Sequence, residues 1–98
     1  MNLKDTLNET LKRKFRRFNS TQTKEECNYF PKSNYELFKI IKERVREDPN
    51  CDLNDVWVGE IADMTYLFSA SKFNGDISRW DVSNVIDMSY MFNGSSFN

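Results

Sequence analysis

From Cys51 onward the chain repeats itself. Residues 51–74, CDLNDVWVGEIADMTYLFSASKFN, align without a gap on residues 75–98, GDISRWDVSNVIDMSYMFNGSSFN, at an offset of 24. Nine of the 24 aligned positions are identical, and seven of those fall between Asp63/Asp87 and Asn74/Asn98. Most others exchange like for like, as in Leu53/Ile77, Ile61/Val85, Thr65/Ser89, Leu67/Met91 and Ala70/Gly94. Two units with equivalent apolar positions bury them best against one another, so the period constrains the fold more than any compositional figure.

The preceding residues divide by pattern into three further parts. In residues 1–18, Leu3, Leu7, Leu11 and Phe15 recur every four positions, with Asp5 and Glu9 early and five cations late. This predicts a basic amphipathic helix whose charges complement its dipole. Residues 19–26 lack apolar periodicity and read as a linker. Residues 27–50 read as a short strand, Cys27 to Phe30 before Pro31, followed by a capping helix. There Ser33 and Glu36 form a capping box, Leu37, Phe38, Ile41 and Val45 share one face, and Asp48-Pro49-Asn50 ends the helix.

In the second copy the apolar positions Ile77, Trp80, Val82 and Val85 suit a short strand turning into the core. Asp87 precedes Met88-Ser89-Tyr90-Met91-Phe92 as an N-cap precedes a helical or 3₁₀ turn. A period of 24 falls in the range of about 20–29 residues of leucine-rich-repeat coils. The expected fold class is therefore an α/β repeat, a short right-handed leucine-rich-repeat-like solenoid of about two coils (51–74 and 75–98) behind a helical N-terminal cap.

Trp80-Asp81-Val82-Ser83-Asn84-Val85, Asp87-Met88, Met91-Phe92 and Phe97-Asn98 give the second copy a specific likeness. It resembles the repeat of the BspA-like leucine-rich-repeat surface proteins, a mycoplasma-type repeat of uncharacterised function. The stretch YFPKSNYELFKIIKERVREDPNCDLND resembles the lead-in of such arrays, so the likeness covers about residues 29–98. It implies protein recognition or adhesion at a bacterial cell surface. The first copy departs from the pattern, with Val56 in the place of Trp80 and Trp57 in the place of Asp81, as an end coil does. Two coils ending at a repeat boundary read as a short or truncated member, since such arrays need about three repeats for a continuous core.

Charge is graded along the chain: +5 over residues 1–24, −1 over 25–50 and −5 over 51–98, for a net of −1. That distribution argues against a general nucleic-acid binder. The N-terminus carries no apolar run long enough for a secretory signal, which points to the cytoplasm where the resemblance points to the cell surface, and no transmembrane segment is visible. Histidine is absent, which removes the commonest general base, and there is no glycine-rich phosphate loop among three glycines. Cys27 and Cys51, 24 residues apart, cannot build a CxxC redox pair or a zinc site; their count allows one disulfide, and the reading favoured is two reduced packing thiols. The chain is thus expected to be non-enzymatic, with no catalytic residue, cofactor or metal.

Stacked pairs Asp52/Asp76 and Asp63/Asp87 could form carboxylate ladders for a cation such as Ca²⁺. The alternative favoured here is that they cap or make turns. Trp80 falls in the apolar frame and reads as core, whereas Trp57 faces outward, either docked on the N-terminal cap or exposed as a partner anchor. Alternation along the strand would put Asp55, Trp57 and Gly59 on one face with Arg79, Asp81 and Ser83. Asp55, Trp57, Arg79, Asp81 and Ser83 are accordingly the candidate protein-binding face. Lys12, Arg13, Lys14, Arg16 and Arg17 are the candidate contact to anionic partners or to a membrane surface. The function expected is a protein–protein interaction module, by resemblance a surface adhesion or recognition protein. The alternative is a cytoplasmic interaction or capping module whose basic helix touches membrane or acidic partners.

Overall fold

One helix carries the regular structure. In the computed structural model, which describes residues 22–95, α1 spans Asn34–Glu47. Ser33 Oγ accepts the Glu36 N–H at 3.2 Å, satisfying one free donor of the helix start, and the Glu36 carboxylate reaches back to accept the N–H of Lys32, one residue before the N-cap, at 2.8 Å. Leu37 and Ile41 are fully buried, with Ile40 and Val45 packed beside them, while Phe38 lies at the edge and stays exposed. Burying two such aliphatic side chains contributes about 1.5–3 kcal/mol each. Polar clamps fix α1 at both ends: Asn34 Nδ2 donates to the Asp63 and Thr65 carbonyls (3.0 and 3.2 Å), and Arg44 donates to the Asp52 carbonyl (3.0 Å). Lys24–Glu26 forms a single 3₁₀ turn.

The two 24-residue segments lie side by side with equivalent residues opposed. Parallel bridges join Asp52 to Asp76 and Asp63 to Asp87. The first segment donates its Leu53, Met64, Phe68 and Ala70 N–H groups to the Asp76, Asp87, Met91 and Asn93 carbonyls at 2.8–2.9 Å. The Ile86 N–H returns a bond to the Ala62 carbonyl at 2.8 Å. Between the segments lies an apolar core built around Leu53, Val56, Met64, Phe68, Phe73, Trp80 and Met88. Phe68 stacks on Phe73 (4.8 Å between centroids) and on its counterpart Phe92 (5.3 Å). Trp80 is buried, and its Nε1 donates to the Leu53 carbonyl at 2.8 Å, so its polar edge is satisfied inside the core.

The expected α/β repeat solenoid is not what forms. Among the described residues there is one α-helix, one 3₁₀ turn, no strand and no sheet, and the bridges are isolated. The whole is a small globule with principal extents of 37 × 29 × 24 Å. The reason lies in closely spaced turns. At Asp52, Asp63, Asp76, Asp81 and Asp87, a carboxylate oxygen accepts the N–H two residues on, from Asn54, Thr65, Ser78, Ser83 and Ser89, at 2.8–3.1 Å. Each closes an Asx turn and drives the intervening Leu53, Met64, Ile77, Val82 or Met88 into the core. Tyr66, Ala70, Tyr90 and Gly94 then take left-handed backbone angles, with φ of 56–70°. No extended run survives long enough for a ladder. Met88–Phe92 is likewise a series of turns rather than a helical turn, and Cys27–Phe30 is reduced to one bridge, Tyr29 to Val56.

Candidate functional site

Residues 22–30 run along one flank of the first segment, tying the proposed face to the rest of the molecule. Gln22 is the buried polar residue of this flank. Its Nε2 donates to the Asn54 carbonyl (2.9 Å) and the Val56 carbonyl (2.8 Å), and its Oε1 accepts the Val58 N–H (3.0 Å). Its own N–H donates to the Arg79 carbonyl at 2.6 Å, so one residue bonds to both segments. Tyr29 N–H donates to the Asp55 carbonyl and Trp57 N–H to the Tyr29 carbonyl, which holds this flank in register.

Four of the five predicted face residues spend their side-chain polar groups on hydrogen bonds within the molecule. Arg44 grips both Asp55 oxygens, at 3.1 and 3.3 Å, and lies over the Tyr29 ring at 5.4 Å. Arg79 donates to Glu26 Oε2 at 2.7 Å, and this guanidinium holds the Glu26 carboxyl below its ordinary range, chiefly through that hydrogen bond. Asp81 Oδ1 accepts both the N–H and the hydroxyl of Ser83, at 3.1 and 2.7 Å. The half-buried Trp57 ring covers Gly59, where an added Cβ would come within 2.2 Å of the indole. A side chain there would push the indole off this position. Asp55 and Arg79, with Glu26, Asp52 and Asn54, line a shallow cleft of about 320 Å³. Lys12, Arg13, Lys14, Arg16 and Arg17 lie outside the described residues, as does the whole predicted first helix.

The aspartate pairs spend their carboxylates on turns. The Asp76 carboxyl is held below its usual range mainly by the Ser78 N–H, with the Ser78 hydroxyl adding to it. Among the described residues no group of three or more His, Cys, Asp or Glu side chains is arranged to hold a metal. Both cysteines are free thiols. Burial is the main cause that pushes the Cys27 thiol up from its ordinary pKa, with Asp55 adding to it, and burial likewise raises Cys51. A raised thiol pKa means less thiolate at neutral pH, the opposite of an activated nucleophile. No helix among the described residues is long and apolar enough to cross a membrane.

A second surface feature was not apparent from the sequence. Tyr66 and Tyr90, equivalent positions of the two segments, stack with centroids 5.0 Å apart and planes 12° from parallel. Both remain more than half exposed, at 54% and 58%. Each occupies a left-handed position, φ 58° and 57°, where a bulky side chain costs about 1–2 kcal/mol relative to ordinary backbone. Identity of the two tyrosines across the offset was the available signal, but the strained backbone that displays them could not be read from it.

Comparison with known proteins gives one family. The family model described as Mycoplasma protein of unknown function, DUF285, matches residues 32–98, which cover α1 and both 24-residue segments. Neither a curated protein nor a solved structure matches the chain.

Proposed function

The chain belongs to the DUF285 family of Mycoplasma proteins of unknown function, and on that premise we propose that it is a non-enzymatic module that recognises a protein partner. The observation that carries this reading is the exposed Tyr66–Tyr90 stack on two strained turns. Tyrosine offers large contact area at low side-chain entropy cost, with a hydroxyl to satisfy polar groups at the rim, which is why binding surfaces favour it. Strain retained at two equivalent exposed positions is an outlier of the kind that accompanies binding sites. The finer reading, recognition at a bacterial cell surface, is supported by the resemblance to BspA-like surface proteins. The face of Asp55, Trp57, Arg79, Asp81 and Ser83 is the competing contact surface within the same function.

Chemical cross-linking with affinity capture, using the full chain as bait, tests this. Tyr66→Asn with Tyr90→Asn removes the rings while keeping a residue that tolerates the left-handed backbone. The double variant should lose the captured partner with no loss of thermal stability. Capture that survives it but is abolished by alanine at Trp57, Arg79 and Asp81 moves the contact to the other face. Capture indifferent to both sets removes the proposal.

A further inference from the structure

Along the edge of the buried stripe of α1, reaching Ile41 itself, lies a half-open cleft of about 540 Å³ between that helix and the Leu67–Lys72 turns. Its apolar lining includes Phe38, Ile41, Val45 and Leu67, and its rim carries Lys42, Arg46 and Lys72. No carboxylate lines it. That is out of character for a chain of net charge −1, whose residues 51–98 hold seven acids and two bases, one of which is Lys72. Arg46 is drawn toward Glu43 at 2.7 Å in a solvent-exposed pair, and Lys42 lies 6.0 Å from the Phe38 ring centroid, so neither cation is deeply committed.

We infer that this cleft binds a single-chain fatty carboxylate, with the hydrocarbon on Phe38, Val45 and Leu67 and the carboxylate among Lys42, Arg46 and Lys72. The volume falls in the range of about 300–1,000 Å³ typical of small-molecule sites. Along α1 the lining runs from Phe38 to Arg46, about 12 Å at 1.5 Å per residue. That length suits one alkyl chain. A groove of that length and about one helix width (~10–12 Å) across offers on the order of 100 Å², well below the ~1,000 Å² that a specific protein interface buries. The rim also argues against the chain's own residues 1–18 as occupant, because that segment brings Lys12, Arg13, Lys14, Arg16 and Arg17 to a site already cationic.

Titration of the full ¹⁵N-labelled chain with sodium dodecanoate, below its micelle concentration, tests the site by heteronuclear NMR. Dodecyltrimethylammonium serves as the control of matched tail and opposite charge. Dodecanoate should shift amides of residues 38–49 and 67–72 selectively, and the cation should bind about tenfold or more weakly. Lys42→Glu with Lys72→Glu, both exposed positions, should weaken dodecanoate about tenfold while leaving the rest of the spectrum in place. Equal binding of both amphiphiles, unchanged affinity in the double variant, or shifts outside the two segments would each overturn the assignment. So would dodecanoate that binds only after Leu7→Asp with Leu11→Asp, because the cleft would then already hold the chain's own N-terminal segment.

Discussion

Gln22 offers the sharpest test of how the two segments are held. Substitution by alanine removes three hydrogen bonds of 2.8–3.0 Å, leaving the Asn54 and Val56 carbonyls and the Val58 N–H without their side-chain partner. Val56 and Val58 are both 0% exposed, so water reaches these groups poorly. At about 1 kcal/mol net per bond the loss is ~3 kcal/mol, and more where a group stays dry. For a domain of this size each kcal/mol moves Tm by about 4–8 °C, so a fall of roughly 12–24 °C is expected. Thermal unfolding measures that fall, and urea unfolding followed through the fluorescence of Trp57 and Trp80 measures the free-energy loss, with the midpoint falling and the slope unchanged. Gln22→Glu adds a sign test. A carboxylate there would face two carbonyls in a buried site, so its folded pKa is raised above the unfolded value. Its deficit should be largest at neutral pH and shrink as pH falls through that raised pKa, because the protonated acid regains a donor. A Gln22→Ala protein within about 0.5 kcal/mol of the parent would refute the reasoning, placing the residue among ordinary surface positions.

Two further outcomes follow from the same packing. An added Cβ at Gly75 would sit 1.8 Å from the Cys51 carbonyl oxygen, a backbone atom that cannot swing aside, so Gly75→Ala should destabilise by about 1–3 kcal/mol in the same urea assay. Glu26 and Asp76 have folded pKa values depressed below their unfolded ones, so their contribution is present above the unfolded carboxyl range near pH ~4 and is lost as pH falls through the depressed values. The urea midpoint should therefore drop on acidification, and less steeply in Glu26→Gln. An identical slope in that variant would remove Glu26 from the account.

Which of these contacts the sequence announces depends on whether they leave a periodic trace. The offset of 24 does: Asp52 bridges Asp76 and Asp63 bridges Asp87, and the Phe68 ring stacks on Phe92. Trp80, set between Ile77 and Val82 in the apolar frame, is core for the same reason. The capping signals at Ser33 and Glu36 were local and strong enough to place α1. Strands were the wrong inference because alternation over Trp80-Asp81-Val82 satisfies a period of two whether the backbone continues or turns. The discriminating signal was the recurrence of Asp, an apolar residue, then Ser, Thr or Asn at 52–54, 63–65, 76–78, 81–83 and 87–89. Each such triplet is an Asx turn, and they lie too close together for a ladder to grow between them. Gln22 left no trace at all, since a polar residue in a polar run has no periodicity to break.

The two candidate protein-contact surfaces differ in what binding would cost them. To use the face of Asp55 and Arg79, a partner must displace or bury ion pairs already made with Arg44 and Glu26, and desolvating such pairs tends to cancel the attraction gained. The side chains of Arg79 and Glu26 are 40% and 52% exposed, so their pairing contributes little to the fold, yet a partner would still have to replace it. The Tyr66–Tyr90 stack carries no such obligation. Its rings are already ordered against one another by two fixed turns, their faces are apolar, and covering them removes area from water without stranding a charge. Binding there spends order that folding has already supplied, which is why the tyrosine pair, and not the charged face, is the surface on which an affinity measurement should first be made.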